Sequence, residues 1–185
     1  MELAQEPIFD LFDPILETEA GSKVYRPTLY DFLAHRALDF FRNEEPAVTR
    51  PAVGFMVDQE AYYAPAKDFA ALTLPSTTGD DFKFRALSLY QELVRFHLND
   101  KEPAALIDAD LARIKYVNEK SVLPEKHDLY LKALQHLQNT YPNDLHSADV
   151  AYETAMEYYR RGTDYNPLKS DTNRWEKKNA KALEL

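Results

Sequence analysis

Apolar side chains recur every three or four residues along most of this sequence, and that spacing restricts the fold more than any other feature. An α-helix turns once in about 3.6 residues, so side chains spaced in this way line one face that another element must cover. The first stripe consists of Leu29, Phe32, Leu33, Ala37, Phe40 and Phe41. Comparable stripes follow within residues 82–97, 106–117, 129–141 and 148–159. The sequence therefore predicts an all-α fold.

Short connections join the later stripes, and helices joined in this way pack side by side in opposite directions. We therefore expect antiparallel helical hairpins that form an irregular α-α superhelix, within a single helical domain over residues 1–185. Residues 44–80 interrupt the pattern. They contain four prolines, which disfavour helix: Pro46, Pro51, Pro65 and Pro75. This stretch is predicted to be one long connection with short helical turns.

Residues 125–185 are similar to a divergent tetratricopeptide repeat, a motif built from a helical hairpin. The helix predicted over 148–162 aligns with the first helix of a repeat. In this alignment Ala155 takes the small position at which two helices cross, and Tyr158 takes the aromatic position that follows. Gly162 is then expected to end the helix as a left-handed C-cap. The superhelix is accordingly expected to be repeat-like toward its C-terminus.

Composition excludes several kinds of site. The chain has no cysteine, which excludes disulfides, thiolate metal sites and cysteine nucleophiles. Its 4 glycines are scattered singly, whereas phosphate-binding loops need clustered glycines so that the backbone can approach the ligand. The Gly-x-Ser-x-Gly motif of serine hydrolases is also absent. The sequence contains no sign of nucleotide binding or of cofactor chemistry.

The net charge of -9 disfavours binding to DNA, RNA or an anionic membrane surface. The densest basic run is Arg174, Lys177, Lys178 and Lys181. It is interspersed with acidic residues, so we interpret it as a solvated helix face. No apolar run approaches the ~20 residues needed to cross a bilayer, and no signal peptide is recognised. We expect no nucleic-acid partner and no membrane insertion by this segment, and no small-molecule substrate is evident.

The histidines do not form a metal-binding pattern. They are His35, His97, His127, His136 and His146. No two are four residues apart, the spacing with which a helix presents two zinc ligands. Each is interpreted as a surface or edge residue. His35 and His97 have an alternative, because they lie beside aromatic stripes and could pack there with a hydrogen bond at the tip of the ring.

Two pairs of acidic residues are the remaining candidates for a chemical role. Asp108 and Asp110 have the spacing of a metal-binding acidic pair, but side chains two residues apart on a helix point in different directions. Glu44 and Glu45, directly before a proline, are interpreted as a solvated turn. We therefore predict no catalytic, cofactor-binding or metal-binding residue, and we expect that the chain is not an enzyme.

Four strings carry a family resemblance: RPTLYDFLAHRALDFF at 26–41, TRPA at 49–52, YYAPA at 62–66 and AALID at 104–108. Together they resemble the helical region near the N-terminus of large bacterial alpha-2-macroglobulin-like proteins, and the likeness extends through Leu168. Members of that family trap proteases through a bait region and, in many cases, an internal thioester formed in a Cys-Gly-Glu-Gln motif. The cysteine that a thioester needs is absent here, so no functional residue of the family carries over.

The resemblance implies that the chain is a segment excised from a larger periplasmic, envelope-attached or secreted protein. We expect a non-catalytic helical interaction or scaffold module, whose partners are other domains of the parent chain or an envelope protein. Two alternatives stay open: a purely architectural spacer, and a hydrolase with an unrecognised site.

Overall fold

The computed structural model describes residues 21–43, 54–75 and 81–182. Within these ranges the backbone forms α-helices and short 3-10 helices. The β-type pairing found there is one isolated parallel bridge between Val57 and Ser121. The predicted all-α fold is therefore confirmed.

The chain divides into two compact units, unit 1 (residues 1–126) and unit 2 (residues 127–185). The described part of unit 1 contains α1 (Ser22–Tyr25), α2 (Leu29–Arg42), α3 (Ala66–Ala71), α4 (Phe82–His97) and α5 (Ala104–Lys120). A capping box starts α2: the Thr28 side chain accepts from the backbone N–H of Asp31, whose carboxylate accepts from the backbone N–H of Thr28. Asp81 caps α4 by accepting from two backbone N–H groups of its first turn.

Aromatic contacts show how the long helices of unit 1 are oriented. The rings of Tyr30, at the start of α2, and Phe96, at the end of α4, have centroids 5.1 Å apart. At the other end, the centroids of Phe41 and Phe82 are 5.7 Å apart. These two helices therefore run antiparallel. The α4–α5 pair is also antiparallel, because the Tyr116 hydroxyl near the end of α5 donates to a carbonyl in the first turn of α4.

A fully buried arginine attaches the connection that precedes α4 to helix α5. The Arg113 guanidinium donates to the carbonyl oxygens of Tyr62, at 2.5 Å, and Ala64, at 3.0 Å. It also pairs with the Asp110 carboxylate at 2.6 Å and lies 4.5 Å from the centroid of the Phe69 ring. These four contacts offset the cost of removing the guanidinium charge from water. The Arg113 side chain thus supplies hydrogen bonds to two backbone carbonyls, those of Tyr62 and Ala64.

Helix α6 (Lys126–Thr140) begins at the last residue of unit 1 and otherwise belongs to unit 2. Unit 2 also contains α7 (Ala148–Thr163) and α8 (Lys178–Ala182), with 3-10 helices at Leu145–Ser147 and Ser170–Trp175. Side chains connect α6 with α7, since the Gln135 amide donates to the Tyr158 hydroxyl and the Tyr130 hydroxyl donates to Glu153. Leu131, Tyr158 and Trp175 are buried together, and Tyr165 and Ala182 pack against them. The polypeptide after α7 therefore folds back over Leu131 of α6 and Tyr158 of α7.

Two details of α7 differ from the expectations. Ala155, the expected crossing position, is only half-buried, whereas its neighbour Thr154 is 1% exposed. The helix also continues through Gly162 to Thr163, and Gly162 does not adopt a left-handed conformation. The cap is instead made by the backbone N–H of Asp164, which donates to carbonyls of the last turn. A glycine is therefore not needed where the helix ends.

Candidate functional site

The candidate site is a groove of about 340 Å³ in unit 2, between α6, α7 and α8. The side chains that define its chemistry are Gln135, Gln138, Asn139, Thr154, Tyr158 and Lys181. The first three come from the last two turns of α6, the next two from α7 and the last from α8. Polar side chains from all three helices therefore line the groove, and Pro142 and the Tyr158 ring add apolar surface to it.

Hydrogen bonds fix the floor of the groove. The Gln135 side-chain amide donates to the Tyr158 hydroxyl at 2.6 Å. The Thr154 hydroxyl donates to the Val150 carbonyl of its own helix at 2.8 Å. Since the tyrosine hydroxyl accepts from Gln135, its own proton stays available for an acceptor outside the pair. The floor thus presents one oriented hydroxyl donor.

Two lysines of the basic run lie over the ring of Tyr158. Lys181 Nζ is 4.8 Å from the ring centroid, and Lys178 Nζ is 5.6 Å from it. A cation over an aromatic face is attracted by the ring quadrupole. This contact holds a positive charge at the edge of the groove, next to the hydroxyl donor. Lys181 is exposed, as expected for a solvated helix face, but its contact with an aromatic ring has no counterpart in the sequence pattern.

Gln138 and Asn139 bring two carboxamides to the same wall. Gln138 is half-buried and Asn139 is exposed. Neither side chain takes part in the hydrogen bonds found among the described residues. A carboxamide offers both donors and an acceptor, the same set as a peptide group. The wall can therefore pair with main-chain amides, while the lysine can pair with a carboxylate.

A second polar cluster lies in unit 1 and is closed rather than open. His97 is 2% exposed, with Nε2 at 2.7 Å from Asp31 and Nδ1 at 2.7 Å from Asp100. Burial alone would lower the pKa of His97, but the two carboxylates raise it above its ordinary value. Burial would likewise raise the pKa of Asp31, yet hydrogen bonds from His97 and Thr28 lower it. The raised pKa favours an imidazolium between the two carboxylates, and we call the cluster of His97, Asp31 and Asp100 the clasp.

The other histidines and acidic residues considered in the sequence are dispersed. His35 lies 3.7 Å from Asp108, and burial together with the charge of Arg26 lowers the pKa of His35 to about 4. Asp108 therefore faces α1 and α2, whereas Asp110 binds Arg113, as expected for residues two apart on a helix. The interpretation of His97 as a surface or edge residue is wrong. The alternative is correct for His97, because its ring packs inside unit 1 and forms a hydrogen bond through Nε2.

The three histidines of unit 2 are also separate. His127 lies 3.1 Å from the buried Glu157, His146 lies 2.6 Å from Asp144, and His136 is exposed. The described residues contain no group of three or more histidine or acidic side chains placed to hold a metal ion. Glu44 and Glu45 lie outside the described residues.

The groove is the feature that sequence reasoning missed. It exists because α8 returns to α7, and its parts lie more than 40 residues apart in sequence, from Gln135 to Lys181.

Among the described residues, no helix is both long and apolar enough to cross a bilayer. Comparison with known proteins finds no significant match to a protein-family model, to a curated protein or to a solved structure.

Proposed function

We propose that the chain is a non-catalytic helical interaction module, and that the groove of unit 2 binds an extended peptide segment carrying a carboxylate. The observation that carries the proposal is the wall formed by Gln138 and Asn139, in the same groove as a lysine that lies over the ring of Tyr158. These groups match the two recurring elements of an acidic peptide, its main-chain amides and its carboxylate. The groove walls come from three helices of one packed unit, so the site is largely preformed.

The charge distribution supports an acidic ligand for unit 2 rather than for the chain as a whole. Residues 1–126 contain 14 Lys and Arg against 22 Asp and Glu, whereas residues 127–185 contain 8 against 9. A carboxylate approaching unit 2 therefore meets a nearly neutral surface with a local positive charge at Lys181. Steering by such a field is modest, and recognition depends on contact within the groove.

The family resemblance supplies the biological setting of this proposal. The strings at 26–41, 49–52, 62–66 and 104–108 favour a parent protein of the alpha-2-macroglobulin-like class in the periplasm, cell envelope or extracellular space. Peptide binding by a helical hairpin with a returning helix also agrees with a divergent repeat-like portion over 125–185. In this setting the ligand is an acidic segment of another domain of the parent chain or of an envelope protein.

Nuclear magnetic resonance titration tests the proposal directly. The probes are an acetylated, amidated peptide of alternating alanine and glutamate, and the same peptide with glutamine in place of glutamate. The glutamate peptide is expected to shift the side-chain amide signals of Gln138 and Asn139, and to bind at least tenfold more tightly than the glutamine peptide. The substitution Lys181→Glu should remove that preference.

Lys132→Glu is the matched control, because Lys132 is an exposed lysine on α6 outside the groove lining. An equal loss of binding in both variants would indicate general charge attraction and would contradict a groove site. If neither peptide shifts any signal at millimolar concentration, the proposal fails and the architectural spacer is left as the better account.

A further inference from the structure

Helix α7 presents a second surface, which lies on a different side from the groove. Three large apolar residues recur at intervals of seven and are exposed: Leu145 by 88%, Tyr152 by 61% and Tyr159 by 53%. Between them, also at intervals of seven, lie Ala148, Ala155 and Gly162, which are exposed or half-buried. We call these six residues the α7 stripe. It continues from the 3-10 turn before α7 to the last turn of the helix.

The spacing of the α7 stripe is that of a helix that packs along another helix. Successive stripe residues are separated alternately by three and four positions, the a and d pattern of a helical seam. In this stripe every a position is large and every d position is small. A seam from Leu145 to Tyr159 is about 21 Å long at the usual rise per residue.

The alternation of size selects an antiparallel partner of the same sequence. When two such helices pair antiparallel, a positions of one face d positions of the other. Tyr152 then lies opposite Ala155 of the second copy, and Tyr159 lies opposite Ala148. Parallel pairing would instead place tyrosine against tyrosine and alanine against alanine, which leaves both clashes and gaps. Packing large against small in each layer is how close-packed interfaces are filled.

Two charges near the ends of the α7 stripe fit the same arrangement. Asp149 lies in the first turn of α7 and Arg160 in the last. In the antiparallel register described above, Asp149 of one copy is offset from Arg160 of the other by about two residues, roughly 3 Å along the axis. Two-fold symmetry makes this ion pair occur twice. A parallel arrangement would instead place Asp149 beside Asp149 and Arg160 beside Arg160.

From these features we infer that the chain self-associates as a two-fold dimer, with α7 packed antiparallel against α7 of a second copy. The inference is independent of the peptide-binding groove, because it uses a different side of the helix. It also gives Ala155 the role of a close crossing position, between two chains instead of within one hairpin. The small residues permit the short interaxial distance that such a crossing requires.

Sedimentation velocity of the full 185-residue chain tests the dimer. The wild-type chain is expected to sediment as a dimer at about 100 μM, within the usual affinity range of modest interfaces. Ala155→Arg should shift it to a monomer, by at least a tenfold weaker association. His136→Arg is the control, since His136 is exposed on α6 outside the stripe, and it should leave the dimer intact.

A charge exchange distinguishes this register from unspecific apolar association. Asp149→Arg and Arg160→Glu should each weaken the dimer, and the double variant should restore it, because the pair is rebuilt with reversed signs. Circular dichroism of each variant checks that helix content is unchanged. A monomeric wild-type chain at 100 μM overturns the inference. So does a double variant that associates no better than either single one, even if the wild type dimerises.

Discussion

The substitution His97→Gln examines the energetics of the buried clasp between α2 and α4. In the wild type the His97 ring bridges Asp31, which is 1% exposed, and Asp100. Glutamine retains polarity but removes the positive charge, so Asp31 keeps a buried negative charge without its partner. Removing one member of a buried ion pair costs about 3–5 kcal/mol. A domain of this size unfolds with only ~5–15 kcal/mol, so the variant loses a large fraction of its stability.

The pH dependence follows from the directions of the two pKa shifts. The pKa of His97 is raised in the folded chain, so its stabilising contribution is fully present below the unfolded value of about 6.5 and is lost as the pH rises through the folded pKa. The pKa of Asp31 is lowered, so its contribution is present above the unfolded value of about 3.9 and is lost as the pH falls through the folded pKa. The clasp therefore contributes most to stability between the two unfolded values, from about pH 3.9 to about pH 6.5.

Urea unfolding of the wild type and of His97→Gln, at pH 6 and over a series of higher pH values, measures both effects. The difference in unfolding free energy should be largest at pH 6 and should shrink as the pH rises through the folded pKa of His97, because the wild-type ring then loses its proton. Asp100→Asn is the control. The Asp100 side chain is 38% exposed, and exposed ion pairs contribute only about 0–1 kcal/mol. A difference that is independent of pH would refute a charged His97, and one below about 1 kcal/mol would refute the clasp.

Three further predictions concern other buried groups. Arg113→Met should destabilise unit 1 by about 3–5 kcal/mol and speed hydrogen exchange at residues 60–71; unchanged exchange would contradict its role as an attachment. The His35 ring should titrate with a midpoint of about 4 in a nuclear magnetic resonance experiment. The free energy of unfolding should therefore decline as the pH falls from about 6.5 toward that value. A midpoint near the ordinary histidine value would contradict the burial of the ring. Trp175→Ala should destabilise unit 2 by about 3–5 kcal/mol in thermal unfolding, and a loss smaller than 1 kcal/mol would show that Trp175 adds little to its core.

The sequence predicts the long helices well because their boundaries depend on local chemistry. The capping box at Thr28 and Asp31, the cap at Asp81 and the proline before Ala104 all act within one turn of the residues they organise. The exception, Gly162, is also instructive. A glycine permits a left-handed end but does not require one, and the backbone N–H of Asp164 supplies the cap instead.

Neither the clasp nor the groove of unit 2 could be predicted in the same way, because the parts of each are distant in sequence. His97 and Asp31 are 66 residues apart, and no local pattern marks a histidine as the partner of a helix-capping aspartate. The charged neighbours of Lys181 predict a solvated residue and nothing more. Its contact with Tyr158 depends on the path of the loop between α7 and α8, which has no periodic pattern from which to predict it.

Helix α7 is the element on which both proposals converge, and its sequence explains how one helix can serve two surfaces. Thr154 and Tyr158 face the groove, whereas Ala155 and Tyr159, the residue after each, belong to the stripe. A step of one residue rotates a helix by about 100°, so neighbouring positions lie on different faces.

Self-association through the stripe would leave the groove open, and a dimer would display two equivalent grooves. A ligand with two acidic segments would then gain avidity without any new contact. The Ala155→Arg variant separates the two surfaces: it should retain the affinity for a single peptide and lose only the gain from linking two.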